Sequence, residues 1–323
     1  MNSLDKLKKW LKIKDGLKLF NRNQRGVYTT ENIEKNKIII KIKSKYLIEY
    51  QDIYSRYPID NIAEANSLVA FYLTKLHYEQ DNFWKNYLDT MPTDLSEFPY
   101  FWPRAKLNHL KQTSFYSNEE INYQTHLDAI NQDFEIIEQF NQDNDIISNI
   151  SYDELYDTYL RFRILVGSRI FGYLKKGNET SGMVPYIDLL NHSEIPNTLW
   201  YFDDDLDSFV LISTRNINKG EELTDNYGNK NNIELLLYYG FTLDSNPLSI
   251  LSTQIDNIHY SFTNDFNVIE ISNYDVKIKK KLKDKLEKIH INHKKKIQLC
   301  IDTDITNILS GEIKIIKLLL DNL

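Results

Sequence analysis

The chain has 323 residues, 41% of them hydrophobic and 13% aromatic, with 22 tyrosines, enough apolar material to pack one large domain or two to three lobes. A formal charge of -7 argues against broad nucleic-acid binding as its main task, while leaving local basic patches open. Cys300 is the only cysteine, which excludes a disulfide framework or a cysteine-rich zinc cluster within one chain.

In chain order, Leu4, Leu7, Trp10 and Leu11 have helical spacing and predict a docking helix rather than a membrane anchor. The start lacks a long apolar core, and no run of ~18 apolar residues follows, so the expected protein is soluble and intracellular. Leu17 to Ile48 reads as short strands and turns, with Ile38 to Ile42 a β-rich run. Gly26, just before it, suits either a turn or a close backbone approach to a ligand. Residues 50–165 read as mostly helical: Ala63 to Tyr78 carries a continuous apolar face, and Asp128 to Asp157 a polar, acidic helical pair. Phe83, Trp84, Tyr87 and Leu88 are aromatic and apolar positions of the kind that fill cores. A helix is expected over Tyr152 to Gly172, and on residues alone Arg169 near its end would pair with a surface carboxylate. His77, His109 and His126 have no ligand-like partners nearby.

The chemistry concentrates between Met183 and Phe241. "MVPYIDLLNHSEIPN" brings Asn191-His192-Ser193 after an apolar run. Leu199 to Phe202 and Phe209 to Ser213 flank Asp203, Asp204, Asp205, Leu206 and Asp207, which predicts a hairpin with an acidic turn. Those aspartates alternate like a calcium loop, but Ser208 and Thr214 stand where that loop needs Gly and Glu. Asn218-Lys219-Gly220-Glu221-Glu222 is a second turn, a short strand runs to Tyr227, and the helix Ile233 to Tyr239 stops at Gly240. His192, Ser193 and Asp188 do not make a hydrolase, since no nucleophile elbow accompanies them. After Phe241 the pattern is helical again: Ile278, Leu282, Leu286 and Ile289 give the lysine-rich stretch Lys277 to Lys296 an amphipathic face. His290 and His293 share that helix with no third ligand near, so no metal site is expected. Ile313 to Leu323 reads as a last apolar helix.

The order of Asn191-His192-Ser193, Tyr227-Gly228 and the helix ending in Tyr239-Gly240-Phe241 resembles SET-domain methyltransferases, in the branch of the Rubisco large-subunit lysine methyltransferase and the actin histidine methyltransferase. The resemblance covers roughly residues 17–245 well. It implies an α+β fold: a SET β-fold with a pseudoknot, a large helical insertion and a C-terminal helical lobe. The implied division is residues 1–49 as N-terminal helix and first SET segment, 50–165 as the insertion, 166–245 as the catalytic core, and 246–323 as a substrate-docking lobe. It also implies S-adenosyl-L-methionine as cofactor. Gln24, Arg25 and Gly26 correspond to the glycine loop, where relatives often show Glu-Gly-x-Gly and this chain begins with Asn23. Arg169, Asn191, His192 and Phe241 would complete the cofactor site. Tyr227 would be catalytic, its hydroxyl and nearby carbonyls holding the polarised methyl by weak C–H···O contacts. Tyr239, Ile170 and Ile187 would face the substrate.

Methyl transfer from a sulfonium is an in-line displacement, so alignment is the main catalytic demand and no metal is required. A lysine acceptor costs ~4–5 kcal/mol to neutralise at pH 7, and an apolar, aromatic channel lowers that cost. A histidine acceptor needs a partner that fixes its tautomer. In the actin-directed enzyme an Asn follows the arginine and a Trp stands at the second position; here these are Ile170 and Ile187, which favours lysine. The expectation is a protein-lysine N-methyltransferase acting on a non-histone protein as a monomer in the cytoplasm or nucleus. The alternatives are a protein-histidine methyltransferase and a non-catalytic SET-like binding module.

Overall fold

The computed structural model describes residues 3–13, 16–22, 24–79, 81–264 and 274–323. Its elements sort into two compact units, Met1–Thr93 with Ile130–Gly228, and Asp94–Ala129 with Asn229–Leu323. Residues 50–165 thus contribute to both.

In the first unit the described strands are β1 (Leu17–Arg22), β2 (Gln24–Thr29), β3 (Ile38–Lys43), β4 (Ile48–Glu49), β5 (Ile170–Lys175), β6 (Asn178–Met183), β7 (Asn191–His192), β8 (Thr198–Asp203), β9 (Ser208–Ser213) and β10 (Glu222–Asp225). They form small sheets ordered β1-β2-β10-β7, β3-β9-β8 and β4-β6-β5. β9 lies in the middle of its sheet, so Phe209, Val210 and Leu211 are buried on both faces, as a continuous apolar run in a central strand requires. The acidic turn between β8 and β9 uses its carboxylates for local geometry. Asp203 accepts from the Leu206 amide (2.9 Å), Asp204 from the Lys176 amide (2.9 Å) and Asp207 from the Ser44 hydroxyl (2.5 Å).

The N-terminal helix Ser3–Leu11 buries Leu7 and Leu11, and Trp10 packs edge-on against Tyr46 and Phe83. The helix Ala65–Tyr78 is buried from Ser67 to Thr74, so it is apolar on nearly every side instead of amphipathic. It packs against the helix Tyr152–Gly167, which begins at Ser151, whose hydroxyl accepts from the Glu154 amide. Between these helices sits a buried charge network. Arg163, 1% exposed, pairs with Glu64 and donates to the Ser67 hydroxyl (3.2 Å). Asp133 accepts from Ser67 and from the backbone amides of Ala63 and Glu64, at 2.6, 2.6 and 3.2 Å, closing the N-terminus of the helix.

Two expectations need correction. The helix predicted to run to Gly172 ends at Gly167, and Ile170 opens β5, paired in register with Met183 on β6. Apolar periodicity in "LVGSRIFG" suited a helix, but the Gly167-Ser168 break and pairing with β6 prevail. After Phe241 the pattern is not purely helical: β11 (Ile250–Ile255) and β12 (Ile258–Thr263) form a hairpin in the second unit. Its turn residues Asp256 and Asn257 have φ of 51° and 65°, the positive pair that a two-residue hairpin turn requires.

The rest of the second unit is helical. Asn231 and Glu234 make a capping box at the start of the helix Asn232–Tyr239, and Gly240 ends it at φ 76°. Ile233, Leu236 and Leu237 of that helix share a core with Leu110, Phe115, Ile305 and Leu309. Asp275 and Asp302 cap the helices Val276–Leu299 and Thr303–Leu320, and Leu282, Leu286, Ile315 and Leu319 pack with Leu251 of the hairpin. His293 is fully buried there, its Nε2 2.6 Å from Glu312 Oε2.

Candidate active site

The four-stranded sheet of the first unit collects residues from three distant stretches. β10 runs parallel to β7, setting Thr224 beside Asn191 and Asp225 beside His192. Its other edge pairs antiparallel with β2, setting Glu222 beside Tyr28 and Leu223 beside Val27. Asn197 bonds to the same strand: its side chain donates to the Glu222 carbonyl (2.7 Å) and accepts from the Thr224 amide (2.9 Å). The result draws Gly26, Asn191 and Glu222 to one point. A Cβ on Gly26 would lie 2.1 Å from Glu222 Oε1 and 3.1 Å from Asn191 Nδ2, so only glycine fits without displacing them. Asn191 Nδ2 donates to Glu222 Oε1 (2.7 Å), and the Tyr28 hydroxyl donates to Oε2 (3.2 Å).

Tyr227 leaves β10 and is fixed at both ends. Its hydroxyl donates to the Leu190 carbonyl (2.6 Å), and its amide donates to His192 Nδ1 (3.1 Å). Burial lowers the His192 pKa, opposed by Glu194, so the ring is neutral near pH 7. Neutrality is what the contact needs, because a protonated Nδ1 could not accept the Tyr227 amide. The Asp225 carboxylate accepts from the Trp200 indole (2.9 Å) and the Asn226 amide (2.8 Å), while its carbonyl accepts from the Ser193 amide (2.8 Å). Burial pushes the Asp225 pKa up, against these two donors.

Arg169 follows the helix Tyr152–Gly167 and turns inward. Its Nη1 donates to the Asp188 carbonyl (2.8 Å) and lies 3.3 Å from Asp188 Oδ2, which also accepts from the Tyr87 hydroxyl (2.8 Å). Arg169 Nε and Asp188 Oδ1 are buried with no hydrogen-bond partner among the described residues. This replaces the surface pairing that the residues alone suggested.

Gln24 and Arg25 lie on β2 opposite Arg22 and Asn21, and Asn23 falls outside the described residues. Ile170 is half-buried at the start of β5, and Ile187 is 1% exposed in the short helix Ile187–Leu189, just after Tyr186, whose φ is 75°. Tyr239 and Phe241 belong to the second unit, where their rings stand 6.4 Å apart. Sequence reasoning missed Glu222, Asp225 and Trp200. Glu222 looked like a turn residue in "NKGEEL", and the contact that distinguishes it joins β2, β7 and β10, strands far apart in the chain. Among the described residues there is no group of three or more His, Cys, Asp or Glu able to hold a metal, and no helix is long and apolar enough to cross a membrane.

Residues 24–228 match the SET domain model, and the chain belongs to the SET-domain family. It is similar to protein-lysine N-methyltransferase EFM1 of Saccharomyces cerevisiae, 25% identical over 280 residues that cover 72% of this chain and 48% of the relative. It is also similar to the chloroplastic [fructose-bisphosphate aldolase]-lysine N-methyltransferase of Arabidopsis thaliana, 28% identical over 244 residues covering 69% and 46%. The actin-histidine N-methyltransferase of Rhinolophus ferrumequinum is 22% identical over 233 residues, covering 68% and 38%. The chain thus spans about half the length, or less, of these curated relatives. A solved structure of Rubisco LSMT bound to AdoMet shares the fold with a TM-score of 0.69 at 14% identity, covering 99% of this chain and 91% of that one.

Proposed function

We propose that this chain is an S-adenosylmethionine-dependent protein-lysine N-methyltransferase acting on a non-histone protein. The observation that carries the reading is the junction of β2, β7 and β10, which draws Gly26, Asn191 and His192 together and ties Tyr227 to His192 and Leu190. Membership of the SET family supports it, as do relatives named as lysine methyltransferases and a fold neighbour bound to AdoMet.

The residues present suit the cofactor. Gly26, having no side chain, lets the Glu222 carboxylate and the Asn191 amide close up against β2, and the buried Arg169 Nε is a donor with no partner among the described residues. Gly26, Arg169, Asn191 and His192 would hold the cofactor, with the backbone of Gln24 and Arg25 on the same strand; when bound it supplies an activated methyl on a sulfonium leaving group. Tyr227 acts by position. Its proton is committed to Leu190, and a phenol oxygen whose proton is donated still accepts weak C–H contacts. The Leu190 carbonyl and neutral His192 keep that oxygen in place without a charge change near pH 7. The acceptor amine must shed a proton before it attacks, and a site with few exposed groups favours its neutral form. Ile170 and Ile187 offer the acceptor no hydrogen bond from their side chains, which suits a lysine better than an imidazole that needs its tautomer fixed. Phe241 and Tyr239 as cofactor and substrate contacts, action as a monomer, and action in the cytoplasm belong to the same proposal. The single cysteine is compatible with a reducing compartment.

The test is transfer of label from methyl-labelled S-adenosylmethionine to protein fractions, followed by mapping of the modified residue. A labelled lysine, lost when that lysine is changed to arginine, is expected. Label on histidine, or none with any fraction, contradicts the proposal.

A further inference from the structure

We propose that Glu222 is the anionic anchor for the α-ammonium of the cofactor's amino-acid portion, a role that rests on the cofactor reading above. Glu222 is only partly buried, and its carboxylate fills the space that Gly26 leaves by having no side chain. Both oxygens are held by neutral donors, the Asn191 amide on one and the Tyr28 phenol on the other. Among the described residues no lysine, arginine or histidine pairs with it, although its neighbour Glu221 pairs with Arg215 at 2.8 Å. An ionised carboxylate offers about four lone-pair sites, and neutral donors take one on each oxygen. What remains is an aimed negative charge beside the glycine and the asparagine of the proposed cofactor site, short of a cation.

The cofactor carries two cationic centres with different needs. A sulfonium has no N–H to give, whereas a primary ammonium has three donors and satisfies an under-used carboxylate directly. The α-ammonium is therefore the group that Glu222 fits. The placement also bears on the departure at position 23. With Asn at the position where relatives often carry Glu, residue 23 brings no carboxylate, whereas Glu222 on β10 brings one beside β2.

The experiment compares S-adenosylhomocysteine with its analogue in which hydrogen replaces the α-amino group. Both are titrated calorimetrically into the wild-type protein and into Glu222→Gln, which keeps size and loses charge. The wild type is expected to bind the parent about 30-fold tighter, in line with one charge-assisted hydrogen bond. In Glu222→Gln that preference should fall below about threefold, with affinity for the desamino analogue unchanged. Equal loss for both ligands makes Glu222 a structural pin of the glycine strand and overturns the proposal. So does an undiminished preference in the variant, or a wild type that does not distinguish the two ligands. A wild type that binds neither overturns the cofactor reading itself, and this role with it. Should Glu222→Gln fail to fold, Glu222→Asp retains the charge and withdraws it by one methylene. A selective loss of about tenfold for the parent is then expected, and equal loss for both ligands again refutes the role.

Discussion

Two clusters in the first unit use the same kinds of group to opposite ends. Around Arg163 the carboxylates are answered within the fold: Glu64 meets the guanidinium, and Asp133 meets the amides at the electropositive start of the helix Ala65–Tyr78. Around Glu222 the carboxylate meets only an amide and a phenol, both neutral. A closed network holds two helices together, and a charge left without a counter-charge beside a glycine cradle is what a site for a cationic ligand requires. Burial alone does not separate the two; completeness of charge pairing does.

Changes on the two sides should therefore separate stability from binding. Arg163→Ala takes the guanidinium away from Glu64 and the Arg163 donor away from Ser67, and should cost about 3 kcal/mol of stability in denaturant unfolding. Its cofactor affinity, measured on the folded fraction, should stay at the wild-type value; a loss confined to binding would break the contrast. Tyr227→Phe removes a hydroxyl placed by Leu190 and should lower turnover about 100-fold, with cofactor affinity within about threefold of wild type. Single-turnover kinetics with direct titration check both, and normal turnover would remove Tyr227 from the chemistry. Gly26→Ala must push the Glu222 carboxylate aside, so S-adenosylhomocysteine affinity should drop about tenfold with little change in unfolding free energy. A purely thermodynamic loss of fold would put Gly26 on the structural side instead.

The smallest expected effect is a pH dependence at His192. Its pKa is lowered in the folded protein, so as pH falls the unfolded chain takes up the proton first, near the ordinary value of 6.5. The stability it contributes is present above that pH and is lost as pH falls through the lower folded value. His77 and His290 are lowered too, so the readout is the difference between the wild type and His192→Gln, expected to be below about 1 kcal/mol between pH 7.5 and 5.5. A wild type that does not lose more stability than the variant would contradict the neutral acceptor role.

Much of this was legible in order of residues, because the informative signals were local. The acidic hairpin turn, the capped helix stopped by Gly240 and the docking helix at the start follow from turn chemistry and 3.6-residue periodicity. Asn191, His192, Gly26 and Tyr227 could be singled out by family resemblance, and the structure sets the first three in one sheet with Tyr227 just past the end of its strand β10. Local signals misled where two periods competed, as at Ile170, and where Asp256-Asn257 marked a hairpin inside a chain otherwise read as helical. Glu222 and Trp200 were illegible for another reason. Their partners lie 31 and 25 residues away, at Asn191 across the β7–β10 pairing and at Asp225 in another sheet, contacts that no window of sequence displays.

The most direct test of the account is calorimetric titration of the purified chain with S-adenosylhomocysteine, beside Asn191→Ala. The account predicts micromolar binding by the wild type and a loss of about tenfold or more in the variant, with both proteins equally folded by circular dichroism. No binding by the folded wild type, or binding indifferent to Asn191, would contradict a cofactor site at the junction of β2, β7 and β10.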